Sequence, residues 1–227
     1  MTMPGKKYQA AEKLIDQTKL YSSEEAIELA KKTSTAKFDG SIEVHCVLGI
    51  DPAKNEQQVR VTVALPHGTG KTKKIAAFVD AVHEKEAEAA GADIVATEQT
   101  IAEIASSGKI NFDIAIAVPA MMPKLAKIAK ILGPKGLMPN PKSETVTTDL
   151  KKTVSELKKG RLTFKNDDTG NVHIAIGKVS FESVKLVENF KALMDALRRS
   201  KPSSSKGVFL KSCVVSSSMG PAIRVQL

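Results

Sequence analysis

The feature that most constrains this chain is a hydrophobic period that changes twice. Ser41-Ile42-Glu43-Val44-His45-Cys46-Val47-Leu48-Gly49-Ile50 alternates polar with apolar, the mark of a strand with one buried face. Asp51-Pro52 and Lys54-Asn55-Glu56 make a turn, and Val59, Val61 and Val63 alternate again as a returning strand. After Pro66 the pattern becomes short apolar strands (74–80 and 93–96) interleaved with helices (82–90 and about 100–107). Asp113-Ile114-Ala115-Ile116-Ala117-Val118 is then almost continuously apolar, as a parallel strand covered on both faces must be. Helices are predicted over 122–131 and 150–158. From Gly160 the alternation returns: Leu162-Thr163-Phe164 and Val172-His173-Ile174-Ala175-Ile176 flank Asn166-Asp167-Asp168-Thr169-Gly170, a strong hairpin turn signal.

The two ends therefore share a style that the middle lacks. Helices over 8–19, 23–32 and 181–199 and strands over 207–216 and 222–226 complete an α+β pattern at the ends. Ser22 and Ser23 offer N-caps ahead of Glu24 and Glu25. Strands alternating with helices imply a small parallel-sheet, Rossmann-like α/β unit in the middle. The simplest account is a discontinuous α+β domain (residues 1–66 and 160–227) with an α/β domain (67–159) inserted into it. An insertion leaves and re-enters its host at one place. The linkers would be Pro66-His67-Gly68-Thr69-Gly70-Lys71 and Lys158-Lys159-Gly160, a double strand with hinge glycines at Gly68, Gly70 and Gly160.

Charge points to the kind of partner. Of the formal +9, none is contributed by residues 1–66, three by 67–159 and six by 160–227. A basic segment within a folded protein favours a polyanion, by Coulomb attraction and by counterion release. Trp is absent and aromatics are 4%, which argues against a single-strand binder built on many stacking platforms. No apolar run approaches the ~20 residues that span a bilayer. The N-terminal ten residues carry no apolar signal core, so a soluble cytoplasmic protein is expected.

Catalytic and metal motifs are incomplete. Gly68-Thr69-Gly70-Lys71-Thr72 suggests a phosphate loop, but the position needing its first glycine is Leu65. His83-Glu84 begins like a zinc-protease helix, yet residue 87 is Ala. Cys46 and Cys213 form no CxxC pair and are expected to be reduced, half-buried strand thiols. No cofactor and no metal are expected, and nothing points to an enzyme.

Two segments resist a bland reading. Ile131-Leu132-Gly133-Pro134-Lys135-Gly136-Leu137-Met138-Pro139-Asn140-Pro141-Lys142 holds three prolines and two glycines, which shape an ordered loop. Ser216-Ser217-Ser218-Met219-Gly220-Pro221 combines small hydroxyls with a flexible Met and a glycine. That suits close approach to a nucleotide sugar or phosphate. The first segment closely resembles the signature of the ribosomal L-one family. Other segments agree in family order: Ala36-Lys37-Phe38-Asp39, Leu48-Gly49-Ile50-Asp51-Pro52, Leu65-Pro66-His67-Gly68-Thr69-Gly70-Lys71, Lys206-Gly207 and Ser218-Met219-Gly220-Pro221.

The resemblance implies a protein that binds structured large-subunit rRNA and forms the mobile stalk beside the tRNA exit site, touching exit-site tRNA transiently. It also implies binding to the leader of the protein's own messenger RNA, with repression of its translation, and a monomer outside the ribosome. Family positions place the RNA surface on the terminal domain at Lys37, Phe38, Ser41, Glu43, Asp167, Ser216, Ser218, Met219 and Gly220. Lys165 and His173 join them near the same turn. Lys37 can pair with phosphate and Phe38 can pack on ribose or base. Glu43 and Asp167 suit a polyanion only as acceptors from base amino groups or 2′-hydroxyls. The family usually has threonine where Ser218 stands; serine supplies the same hydroxyl without the methyl group. The 131–142 loop is not assigned to the main RNA surface.

Two other readings compete. A DNA-binding regulator needs a helix basic along one face, but 182–199 carries Arg198 and Arg199 only at its end. An α/β enzyme would use the middle domain, whose first strand lacks a following glycine-rich phosphate loop.

Overall fold

The computed structural model describes residues 5–80 and 83–227, Lys142 by its backbone only. Its chain divides into two compact units: one runs up to Gly70 and resumes at Gly160–Leu227, and the other is Lys71–Lys159. The first boundary falls at Gly70 rather than Pro66 for a hydrogen-bonding reason. Asn189, fully buried, accepts from the His67 N–H at 3.1 Å and donates to the Gly68 carbonyl at 2.9 Å and the Ile176 carbonyl at 2.8 Å. That side chain ties His67 and Gly68 to the terminal unit.

The terminal unit contains α1 (Lys6–Glu12), α2 (Ser23–Lys32), β1 (Ser41–Leu48), β2 (Arg60–Ala64), β6 (Arg161–Lys165), β7 (Asn171–Lys178), α8 (Ser183–Arg199), β8 (Leu210–Ser217) and β9 (Ile223–Val225). A sheet of order β7-β1-β8-β9 is antiparallel throughout. Helices α2 and α8 pack on its apolar side. Ile42, Val44, Cys46, Val172, Ile174, Ile176, Cys213, Val215, Ile223 and Val225 supply the buried half of the alternation. Helix α2 is nucleated by a capping box, Ser22 Oγ accepting from the Glu25 N–H and the Glu25 carboxylate from the Ser22 N–H.

Three expectations need correction here. Helix α1 ends at Glu12, not at 19. Past Lys13 the backbone bonds tighten, the Leu14 N–H donating to the Ala11 carbonyl and the Ile15 N–H to the Glu12 carbonyl. Beyond them the Asp16 carboxylate accepts from the Thr18 N–H at 2.9 Å and the Thr18 hydroxyl at 2.6 Å, a side-chain turn in place of further helix. The strands expected as two hairpins do not pair with their sequence neighbours. β2 pairs with β6 as a separate antiparallel ribbon, Arg60 opposite Lys165 and Ala64 opposite Arg161. The 166–170 turn does form, but it carries the chain from that ribbon into the four-stranded sheet. Cys46 and Cys213 are fully buried, opposite each other across β1 and β8 with sulfurs 3.6 Å apart. Their mutual contact and burial push the Cys213 thiol well above its ordinary range.

Beyond the ribbon, backbone crowds on backbone. Gly68 and Gly160 both have positive φ, and a Cβ on Gly160 would lie 2.4 Å from the Gly68 Cα. Only glycine fits there.

The other unit contains β3 (Ile75–Phe78), α3 (Glu84–Ala89), β4 (Ile94–Ala96), α4 (Glu98–Ser107), β5 (Ile114–Ala117), α5 (Met122–Leu125), α6 (Ala129–Leu132) and α7 (Leu150–Lys158). Its three strands are parallel in the order β4-β3-β5. Residue Val82, predicted to open a helix, lies outside the described residues. The helix predicted over 122–131 is split into short α and 3₁₀ turns between 119 and 132, with Pro119 and Pro123 at turn starts. Leu137 and Met138 of the 131–142 loop pack against this unit's own core.

Candidate RNA interface

The side of the four-stranded sheet opposite the helices follows from the same alternation. Glu43, His45 and Val47 of β1, His173 and Ala175 of β7, Ser212, Val214 and Ser216 of β8, and Arg224 of β9 are half-buried or exposed. Register places Glu43 beside Ala175 and Ser216, and His45 between His173 and Val214. A register shift between Ile42 and Glu43 breaks the pairing at the start of β1.

At that corner several expected residues meet. The Ser218 hydroxyl accepts from the Ser41 N–H at 3.0 Å, and the Ser218 N–H donates to the Ser41 carbonyl at 2.9 Å. Ser218 thus closes the end of the β1–β8 ladder, and Ser41 itself is buried. Lys37 and Phe38 sit on the segment leading into β1, both exposed, Phe38 60% accessible. Asp39, to which sequence reasoning gives no role, anchors that segment. Its carboxylate accepts from the Ser180 N–H and hydroxyl at 3.1 and 2.9 Å, and its carbonyl from Lys178 Nζ at 3.0 Å. Met219 is 75% exposed with φ +62°, and the Gly220 N–H donates to the Ser217 carbonyl. A Cβ on Gly220 would lie 2.2 Å from Ser217 Oγ. Phe38 and Met219 are thus two solvent-facing apolar side chains on segments whose backbone is hydrogen-bonded in place.

Asp167 belongs mainly to its own turn. Its carboxylate accepts from the Asn171 N–H at 2.6 Å, the Thr169 hydroxyl at 2.8 Å and the Thr169 N–H at 3.0 Å. Those donors, Asn171 foremost, hold its pKa down to about 2. His173 Nε2 lies 3.5 Å from the same carboxylate. Lys165 is exposed at the end of β6, on the two-stranded ribbon and so on a different sheet from the other candidates.

Sequence reasoning missed His45. It lies between Glu43 and Val47 on the same period, so its face was readable. Its partner was not, because the β1–β7 pairing joins residues far apart in the chain. His45 Nδ1 is 2.8 Å from His173 Nδ1, and His45 Nε2 is 3.2 Å from Ser216 Oγ.

Among the described residues no cluster of His, Cys, Asp or Glu could hold a metal ion, and no helix is long and apolar enough to cross a membrane. A model of the Ribosomal protein L1p/L10e family matches residues 30–221, most of the chain, including all of the Lys71–Lys159 unit and most of the terminal one. That is a family of structural ribosomal proteins, not of enzymes. The chain therefore belongs to the Ribosomal protein L1p/L10e family, and with it to the rRNA-binding proteins of the large ribosomal subunit.

Proposed function

We propose that the terminal unit binds a structured segment of large-subunit rRNA through the corner where β1 begins and β8 ends, together with the adjoining open sheet face. The observation that carries this is the pairing of two exposed apolar side chains, Phe38 and Met219, with hydrogen-bonding groups on an uncovered sheet. Apolar surface suits ribose and base. Glu43 and Ser216 can bond 2′-hydroxyls or base edges, and Lys37 pairs with phosphate. Ser41 and Ser218 act by shaping the corner, since their polar groups already bond each other. Asp167 shapes the turn that presents His173, and Lys165 adds charge from the neighbouring ribbon.

In this reading Gly68, Gly70 and Gly160 form the hinge of a mobile stalk beside the tRNA exit site, with transient contact to exit-site tRNA. The same face binds a similar fold in the leader of the protein's own messenger and represses its translation. The protein works in the cytoplasm as a monomer until it joins the ribosome. A filter-binding titration against large-subunit rRNA fragments at two salt concentrations tests the core of this. Tight binding to one fragment that survives duplex DNA and unrelated RNA as competitors is the expected result. Equal binding to every polyanion, vanishing at the higher salt, overturns it.

A further inference from the structure

Across the open face runs a chain of polar atoms that joins the Ser216 hydroxyl, given an RNA-facing role above, to the Asp167 carboxylate through two imidazoles. Ser216 Oγ is 3.2 Å from His45 Nε2, His45 Nδ1 is 2.8 Å from His173 Nδ1, and His173 Nε2 is 3.5 Å from the Asp167 carboxylate. The chemistry of its ends sets its direction. A carboxylate only accepts, so His173 presents Nε2–H to Asp167, and in a neutral ring its Nδ1 is then the bare acceptor. His45 must therefore carry its proton on Nδ1, which leaves its Nε2 bare. That nitrogen accepts from the Ser216 hydroxyl. When both rings are neutral, all three links thus point one way, from Ser216 to Asp167.

We propose that this chain is a proton-linked switch in the RNA face, which takes up one proton at His45 when RNA binds and thereby turns Ser216 from a donor within the chain into a donor toward the RNA. The proposal rests on the reading of this face as the RNA surface. Protonation places a second N–H on His45 Nε2. That N–H donates to Ser216 Oγ, the link reverses, and the Ser216 O–H is released toward solvent. A phosphate oxygen or a 2′-hydroxyl arriving there meets a donor and a positive charge together.

The surroundings hold His45 ready for this change. Partial burial, and then the neighbouring His173, keep its imidazole below the ordinary 6.5, while Glu43 opposes them from 3.9 Å. Charged and titratable groups around it are Glu43 on its own strand, His173 and Asp167 from the β7 side, and Arg224 on β9 beyond Val214. The strand between, β8, presents only Val214 and Ser216 to it. In the free protein His45 is therefore neutral at pH 7. An arriving phosphate raises its affinity for a proton, so binding must tighten as pH falls.

The test measures Kd of the full chain for a large-subunit rRNA fragment from pH 8 to pH 6 at constant ionic strength. Wild type, His45→Gln and Phe38→Ala are compared, and folding of each is checked by its thermal melt. Wild type should gain roughly three- to tenfold in affinity over that range, within the ceiling of about tenfold per pH unit set by uptake of one whole proton. His45→Gln should lose that pH dependence, and Phe38→Ala should bind more weakly at every pH with the wild-type slope. Equal slopes in wild type and His45→Gln overturn the switch but leave the RNA face standing. Wild-type binding by both variants at every pH overturns the face itself. Nitrogen-15 shifts of the imidazoles in the free wild-type protein give an independent reading: His45 protonated on Nδ1 is expected, and protonation on Nε2 overturns the proposal.

Discussion

The two sheets of this protein solve opposite problems. In the parallel sheet, Ile75, Ala76, Ala77 and Phe78 of β3 are all fully buried and feed two separate cores. Ala76 and Phe78 join Ala115, Ala117, Met121 and Leu125, while Ile75 and Ala77 join Ile116, Leu150 and Val154. The antiparallel sheet buries one side only. Its other side keeps Glu43, His45, His173, Ser216 and Arg224 within reach of solvent. Small residues at Ala76, Ala77, Ala115 and Ala117 let helices approach the first sheet closely. The histidines and hydroxyls of the second would each need a partner if they were covered in the same way. A covered sheet has little left with which to recognise a macromolecule, whereas a bare one already displays its recognition groups.

On this contrast, substitutions separate by sheet. The largest effect is expected from Phe78→Ala, which removes a fully buried ring packed edge-on to Phe112 at 5.7 Å between centroids. It should cost about 3–5 kcal/mol of stability, read by chemical denaturation, while the folded fraction binds RNA normally. A selective loss of RNA affinity would break the comparison. Asn189→Ala comes next. It strands the His67 N–H and the Gly68 and Ile176 carbonyls, and a loss of about 2–3 kcal/mol is expected. A change below the error of the melt would show that water replaces the side chain.

Phe38→Ala inverts the pattern. It should weaken RNA binding by roughly 1–3 kcal/mol and leave the thermal midpoint unchanged; a lowered midpoint would place the ring in the core after all. Lys37→Ala should reduce the slope of log affinity against log salt by about 0.9, one phosphate's share for a duplex. The smallest effect concerns Asp167. Its pKa is lowered from 3.8 to about 2, so its contribution to stability is complete above 3.8 and disappears as pH falls toward 2. Asp167→Asn should flatten acid unfolding in that window, and an unchanged acid limb would remove the turn's charge from the account.

Local signals were readable in the sequence where the chain acts locally. The alternation that runs from Ser41 to Ile50 names the buried and open faces of β1, and the apolar 114–118 run names a strand covered on both sides. The Ser22 cap and the Asn166–Gly170 turn lie where composition puts them. Pairing was not readable. β2 follows β1 through a turn and β6 precedes β7 through another, and nothing local says that both turns cross between sheets. The candidate site divides along the same line. Phe38 and Met219 are visible as residues, but the mutual bonding of Ser41 and Ser218, the anchoring of Asp39 by Ser180 and the His45–His173 contact all join positions distant in the chain. Asp167 shows the converse case, a residue expected at the RNA surface whose carboxylate already accepts from its own turn.

The β2–β6 ribbon bears on how this chain comes to fold. Ala64 and Arg161 are paired neighbours, yet they lie roughly a hundred residues apart, and closing so long a loop delays any nucleus that needs it. The three strands of Lys71–Lys159 pair with one another, so that stretch can order without waiting for either terminus. Once ordered, it shortens the loop that the ribbon must close. The terminal sheet needs β7, β8 and β9, which are made last during synthesis, whereas every strand of the middle unit has emerged before Gly160. The later half of the discontinuous unit thus completes a structure whose first half has had to stay unpaired, with β1 and β2 both left waiting for partners.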